Sequence, residues 1–218
     1  MRFTQLKKAS LPAPLFISAK SVVAIPIANP LARDALIQAS LDPAVTKIDF
    51  LSSVNVGGQH VRLDAIVLHR DGRKYSLEIG DVRPLRDIDE EDLVQVAFAD
   101  LGIASLEKSA EEILQEPRCS NAREVWREAH TEVTFNDHAE IIAALEAHGP
   151  LAIRELHKVV RVSRPLTALI YALAREGSIE IDISESALSG QTMVRPGFFG
   201  PLTSVPAGIS QRPSRAFA

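Results

Sequence analysis

The spacing of apolar and polar positions changes period several times along the chain, and each change predicts an element. Asn29 is placed to cap a helix that has Pro30 at its first position and runs to about Ser40, before the Asp42-Pro43 break. Three strands follow, near 46–52, 60–69 and 73–80, with Gly57-Gly58 loosening the first connection. Asp89 then opens a helix through DEEDLVQVAFADLG, with an apolar stripe of Leu93, Val96, Ala97 and Leu101 and a stop at Gly102. The acids of its first turn suit the positive end of the helix and read as capping rather than metal binding. A short strand near 103–107 completes an αβββαβ order, an α/β sandwich.

Residues 109–133 read as a helical connector. Ser109 and Glu112 have capping-box spacing, Pro117 is a break, and Asn121 is placed to cap a helix carrying the sole tryptophan, Trp126, which reads as an anchor between two domains. From 134 to 196 the pattern gives a helix capped by Asp137, a second over 152–159, and a third opened by Ser163 and Pro165 and ended by Gly177. Two strands, SIEIDIS and QTMVRP, follow across a turn containing Ser189-Gly190. Three short helices and a hairpin predict a winged helix-turn-helix, with the third helix as the one offered to a major groove. Residues 1–28 read as an N-terminal arm. From 197 to 218 the chain is rich in Pro, Gly and Ser and reads as a flexible tail, with Phe198 and Phe199 able to dock on a partner.

The chemistry concentrates in RLDAIVLHRDGRKYSLEIG, residues 62–80, where two apolar runs each carry one carboxylate, Asp64 and Glu78. A two-residue turn on Asp71-Gly72 would pair Asp64 with Ile79 and turn Glu78 to the opposite face. A three-residue loop, Arg70-Asp71-Gly72 with Gly72 in a left-handed bulge position, would pair Asp64 directly with Glu78. The second register gathers Leu63, Ala65, Val67, Tyr75, Leu77 and Ile79 on one apolar face and is the one expected. Facing carboxylates repel, so this register makes sense around a cation. The alternative is a solvated acid pair at a strand edge. In the expected register Arg62 lies across from Gly80 and beside Asp64, and is expected to pair with Asp64 and Glu78. Lys74 faces the same side as Glu78 but is about 13 Å away along the strand.

Composition narrows the setting. At 218 residues and 46% hydrophobic, the chain can build a core of one large or two small domains. No apolar run approaches the length needed to span a bilayer, so no membrane association is expected. Cys119 is the only cysteine, which excludes an internal disulfide and a cysteine-based zinc site within the monomer and points to the cytoplasm. The net charge of -4 restricts any DNA contact to local patches. One such patch is Arg154, Lys158, Arg161, Arg164 and Arg175, set against only Glu155 and Glu176 in residues 151–178. Phosphate contact and protein docking remain equally open for it, because the third helix offers Thr167 and Tyr171 rather than base-reading Arg or Asn.

Several strings, in this order, resemble the TnsA-like endonuclease subunits of heteromeric transposases, from about Asn29 to Gly197: NPLARDALIQASLDPAV, RLDAIVL, YSLEIG, NAREVWREA, and HGPLAIRELHKVV through ALAREGSIEIDI. The resemblance implies a restriction-endonuclease-like PD-(D/E)xK domain over 29–108 followed by a winged helix. It also implies cleavage of one DNA strand at each transposon end, with a DDE-type transposase and an ATPase regulator as partners. In that family a Glu on the first helix, the Asp–Glu pair and a Lys two residues beyond the Glu make the metal-dependent site. Here Ala32 stands at the helix position, Leu51-Ser52 replace a Gln-Pro pair, and Gly80 replaces the Lys. Asp64 and Glu78 remain and would hold Mg²⁺ in an active enzyme, with Arg62 beside them. Arginine stays charged and is a poor proton carrier, so it does not replace the Lys as a base.

Three readings follow. The first is a TnsA-like DNA-binding or assembly subunit with lost or weakened nuclease activity. The others are an active Mg²⁺-dependent endonuclease and a winged-helix DNA-binding regulator. The two missing groups favour the first.

Overall fold

The structure, a computed structural model, describes residues 14–27, 29–80, 86–128 and 131–197. The chain is mixed α/β with three sheets. The first 13 residues of the arm and the tail from residue 198 lie outside the described residues.

The rest of the stretch read as an arm joins the core. Strands β1 (Leu15–Phe16) and β2 (Ile25–Pro26) pair antiparallel. Phe16, Ile25 and Ile27 are buried against α1 (Pro30–Leu41) and its neighbours. Asn29 caps α1 as expected, its Oδ1 accepting from the Ala32 N–H at 2.8 Å. Leu36 and Ile37 are fully buried, each worth about 1.5–3 kcal/mol of apolar transfer.

Strands β3 (Val45–Val56), β4 (Gln59–Arg70) and β5 (Arg73–Ile79) form an antiparallel meander. Helix α2 (Ile88–Leu101) then crosses over to β6 (Ile103–Lys108), parallel to β5. The sheet order is β3-β4-β5-β6, and a parallel neighbour requires such a crossover. The cap of α2 is Asp87, two residues before the expected Asp89, and Gly102 ends the helix in the left-handed region. Its buried stripe is Val94, Ala97 and Phe98, while Val96 is exposed. The expected stripe was rotated because it took Val96 as inward.

The β4–β5 turn corrects the expected register. Arg70 pairs with Arg73 across a two-residue turn in which Asp71 (φ 50) and Gly72 (φ 74) are both left-handed, a type I′ geometry. The ladder ends at Val67–Ser76 and, continued, would place Ala65 rather than Asp64 opposite Glu78. Nor does Arg62 face Gly80. The single apolar face proposed for the other register is split. Leu63, Ala65 and Val67 pack with α2, whereas Leu77 and Ile79 join the core that holds α1. With a helix on each side, both faces of the sheet are buried, so apolar residues suit either face and cannot select the register.

In the connector, α3 (Ala110–Ile113) has the expected capping box of Ser109 and Glu112. Helix α4 (Arg118–Arg127) begins before Asn121, which is therefore not a cap. Buried Asn121 donates to the carbonyls of Ile183 (2.9 Å) and Ser186 (2.7 Å) and accepts from the Leu188 N–H (3.2 Å), clamping a loop far along the chain. Trp126 does anchor distant parts. Its ring stacks on Phe16 at 5.1 Å between centroids, and the Arg175 guanidinium lies 5.1 Å over it.

The last part contains α5 (Phe135–His148), β7 (Leu151–Ala152), α6 (Ile153–Val159), α7 (Leu166–Glu176), β8 (Ile179–Ile181) and β9 (Met193–Pro196). Its sheet order is β7-β9-β8, with β7 an addition to the two expected strands. Thr134, not Asp137, caps α5. Asp137 instead accepts from the Ser163 N–H (2.8 Å) and hydroxyl (2.7 Å), bracing the turn into α7. The Ser163 side-chain bond, then the Ser163 backbone bond, hold the Asp137 carboxyl below the usual carboxylate range. A depressed folded-state pKa stabilises above the unfolded value, and that stability is lost as pH falls below about 4. Thermal melts of Asp137→Ala are expected to show a lowered Tm at pH 7 and convergence with wild type in strong acid. An equal Tm at pH 7 would remove Asp137 from this role.

Candidate functional site

A cavity of about 420 Å³ opens where the start of β4 meets the end of β5, and Arg62, Asp64, Glu78 and Ala32 all line it. The structure thus gathers the residues singled out in the sequence, although not through direct cross-strand pairing. A bulge brings Asp64 there. Leu51 pairs with Ala65 and Ser53 with Arg62, so Leu63 and Asp64 together stand opposite Ser52. Asp64 takes a left-handed φ of 46°, a conformation that aspartate tolerates better than most residues. The side chain is thereby redirected from the regular pleat.

Arg86 supports this bulge and was not singled out from sequence. Its Nη2 donates to the Leu63 carbonyl at 2.6 Å, and its Nη1 lies 3.5 Å from Glu91 of α2. Its side chain is only 19% exposed, so it supplies a fixed positive charge to the cavity wall. Its place immediately before the Asp87 cap gives no local signal for a contact with Leu63.

Arg62 pairs with Asp64 as expected, its Nε donating to Oδ2. Arg62 and Glu78 both line the cavity. The Arg62 side chain is 82% exposed and that of Asp64 37%, which limits the pair to about 0–1 kcal/mol. It sets the local charge rather than holding the fold. Lys74 is directed elsewhere, its Nζ donating to the Leu101 carbonyl at 3.4 Å.

Of the two substituted positions, Ala32 lines the cavity and Gly80 directly follows the lining residue Ile79. Ala32, buried on α1, contributes only a methyl group to the wall. A Cβ on Gly80 would meet Glu107 Oε1 at 3.6 Å, an ordinary contact, so a side chain has room there. Glu107 is in register with Glu78 on the parallel strand. A divalent metal of the kind the resemblance implies needs oxygen ligands and a nearby proton-handling group. Ala32 and Gly80 offer neither. These residues do not fit a catalytic Mg²⁺ site.

The basic group of the last part divides. Arg154 and Lys158 on α6 both pair with Glu155, at 3.2 and 2.7 Å. Arg161 donates to the Val160 carbonyl at 3.2 Å, and Arg164 pairs with Glu132 at 3.0 Å. These four lie on α6 and the turn after it, whereas Arg175 lies over Trp126 and is separated from them. Helix α7, expected in a major groove, buries seven of its eleven residues, Leu166, Leu169 to Ala174 among them. Its Tyr171 hydroxyl donates to Glu124 at 3.2 Å, and burial, followed by that carboxylate, pushes its pKa up to about 12. A helix covered to this degree cannot enter a groove along its length. In this part of the chain Arg154, Lys158, Arg161 and Arg164 are exposed basic residues, on α6 and the following turn.

Among the described residues no helix is long and apolar enough to cross a membrane. No family model matches the chain, and no curated protein matches it.

Proposed function

We propose that the protein is a TnsA-like subunit that holds DNA at transposon ends and joins a DDE-type transposase and an ATPase regulator, without efficient cleavage of its own. On this reading the first part is a restriction-endonuclease-like PD-(D/E)xK domain and the last part a winged helix. The observation that carries it is the cavity holding Asp64 and Glu78 while Ala32 and Gly80 occupy the positions of the helix Glu and the Lys. The αβββαβ order with a helix on each face of the sheet is consistent with the fold. The winged helix is supported by the α5-β7-α6-α7-β8-β9 order.

The buried α7 favours phosphate contact over base reading. Binding should accordingly be salt-dependent and weakly selective for sequence. Arg154, Lys158 and Arg161 are the residues expected to carry it. Replacing all three with Ala is expected to weaken duplex DNA binding across unrelated sequences and to reduce the slope of log K against log salt by about 2–3. Titrations of the full chain at several salt concentrations measure this. An unchanged slope would leave protein docking as the role of this surface.

A further inference from the structure

A second cavity, of about 560 Å³, lies between the N-terminal hairpin, α1, α4 and α7. Four arginines line it from three helices: Arg33 on α1, Arg123 and Arg127 on α4, and Arg175 on α7. Its one carboxylate, Asp34, is already consumed. Arg123 donates to both Asp34 oxygens, Nε to Oδ1 at 3.0 Å and Nη2 to Oδ2 at 2.6 Å. The bonds from the Asp34 side chain, then its charge, raise the Arg123 pKa further above its usual range. Arg33 and Arg127 are exposed and have no ion-pair partner among the described residues. In a chain of net charge -4, this is a local surplus of guanidinium groups facing an open space. Planar guanidiniums match phosphate oxygens in paired hydrogen bonds.

The other walls are apolar. Leu15 and Ile17 contribute exposed side chains beside the arginines, and Trp126 lies within the lining. Phosphate-binding charge next to apolar surface suits a ligand with an anionic group on a flat, weakly polar body. We infer that this cavity binds the phosphate of a nucleotide unit, supplied either as a free nucleotide or as part of a nucleic-acid strand. Arg33 and Arg127 grip the phosphate, and the Asp34–Arg123 pair fixes the α1–α4 wall behind them. The site shares only the apolar Ile27 with the lining of the Asp64 cavity and none of its arginines, and it stands independently of the nuclease-like reading.

Trp126 is the only tryptophan in the chain, so intrinsic fluorescence reports directly from this cavity. The full chain would be titrated with adenosine diphosphate and, separately, with a short single-stranded oligonucleotide. At least one probe is expected to change Trp126 emission saturably, and Arg33→Gln with Arg127→Gln is expected to weaken that probe about tenfold or more. Saturation by the nucleotide alone identifies a free nucleotide as the source, and saturation by the oligonucleotide identifies a strand. No saturable change with either probe, or binding that ignores the Arg33 and Arg127 substitutions, overturns the inference. Because these arginines are exposed and have no ion-pair partner among the described residues, the double variant is expected to keep the wild-type Tm.

Discussion

Introducing Ala32→Glu together with Gly80→Lys is expected to convert the chain into a metal-dependent DNA-nicking protein, about a hundredfold or more above its wild-type background. The reasoning is geometric. Ala32 lines a cavity that already presents Asp64 and Glu78, and Gly80 directly follows the lining residue Ile79. A Glu on α1 would add an oxygen ligand from the side opposite the strands. A Lys at 80 would supply a cation able to orient water or to stabilise charge on a phosphate. Gly80 needs no left-handed backbone, and a Cβ there meets nothing closer than Glu107 Oε1 at 3.6 Å. The Arg62–Asp64 pair is exposed and weak enough for a metal to displace. Each single substitution should do far less, because groups acting on one reacting centre are not additive. Plasmid relaxation with Mg²⁺ or Mn²⁺ measures the gain. A double variant with an unchanged melting curve that stays inert in both metals would show that this cavity is not a vacated nuclease site.

Asn121→Asp is expected to be the most damaging conservative substitution in the chain. The side-chain amide donates to two backbone carbonyls, Ile183 and Ser186, and its oxygen accepts from Leu188. A carboxylate would keep the acceptor and point negative charge at two carbonyl oxygens inside the protein. The cost is about 3 kcal/mol or more, against about 2 kcal/mol for Asn121→Ala, which merely leaves the three groups unpaired beside a partly solvated loop. Denaturant unfolding of both variants gives the comparison. Acidification should recover part of the Asp loss, because a protonated carboxyl can donate to one carbonyl. Equal stability of the two variants at pH 7 would mean that the loop readily turns its carbonyls to solvent.

Local chemistry was legible in the sequence, and long-range chemistry was not. Asn29-Pro30, the Ser109–Glu112 box, and Gly102 and Gly177 as helix ends all act over a few residues, and each occupies its expected place. Asn121 and Asp137 were read as caps because polar residues of that type near a helix start usually are. Their partners at 183–188 and at 163 lie too far along the chain for spacing to indicate. The β4–β5 register shows a different limit. Asp71-Gly72 is itself a strong signal for a two-residue turn, whereas the grouping of apolar residues on one face favours a three-residue loop. In a sheet covered on both sides such grouping cannot select the register.

The candidate site was legible as a set of residues but not as a geometry. Asp64, Glu78, Arg62 and Ala32 do border one cavity. The device that brings them together, a bulge in which Leu63 and Asp64 stand opposite the single residue Ser52, is held by Arg86, just before the cap of α2. Neither leaves a local pattern. The third helix was likewise legible as a helix, while its burial against α1 and α4 was not.

The proposal that the cavity retains the shape of a nuclease site without its chemistry is tested most directly by incubating the purified full chain with supercoiled plasmid in Mg²⁺ and in Mn²⁺, beside Asp64→Ala. The expected result is DNA bound but left supercoiled by both proteins. Nicking by the wild type that Asp64→Ala abolishes would contradict the claim and establish an active metal-dependent endonuclease.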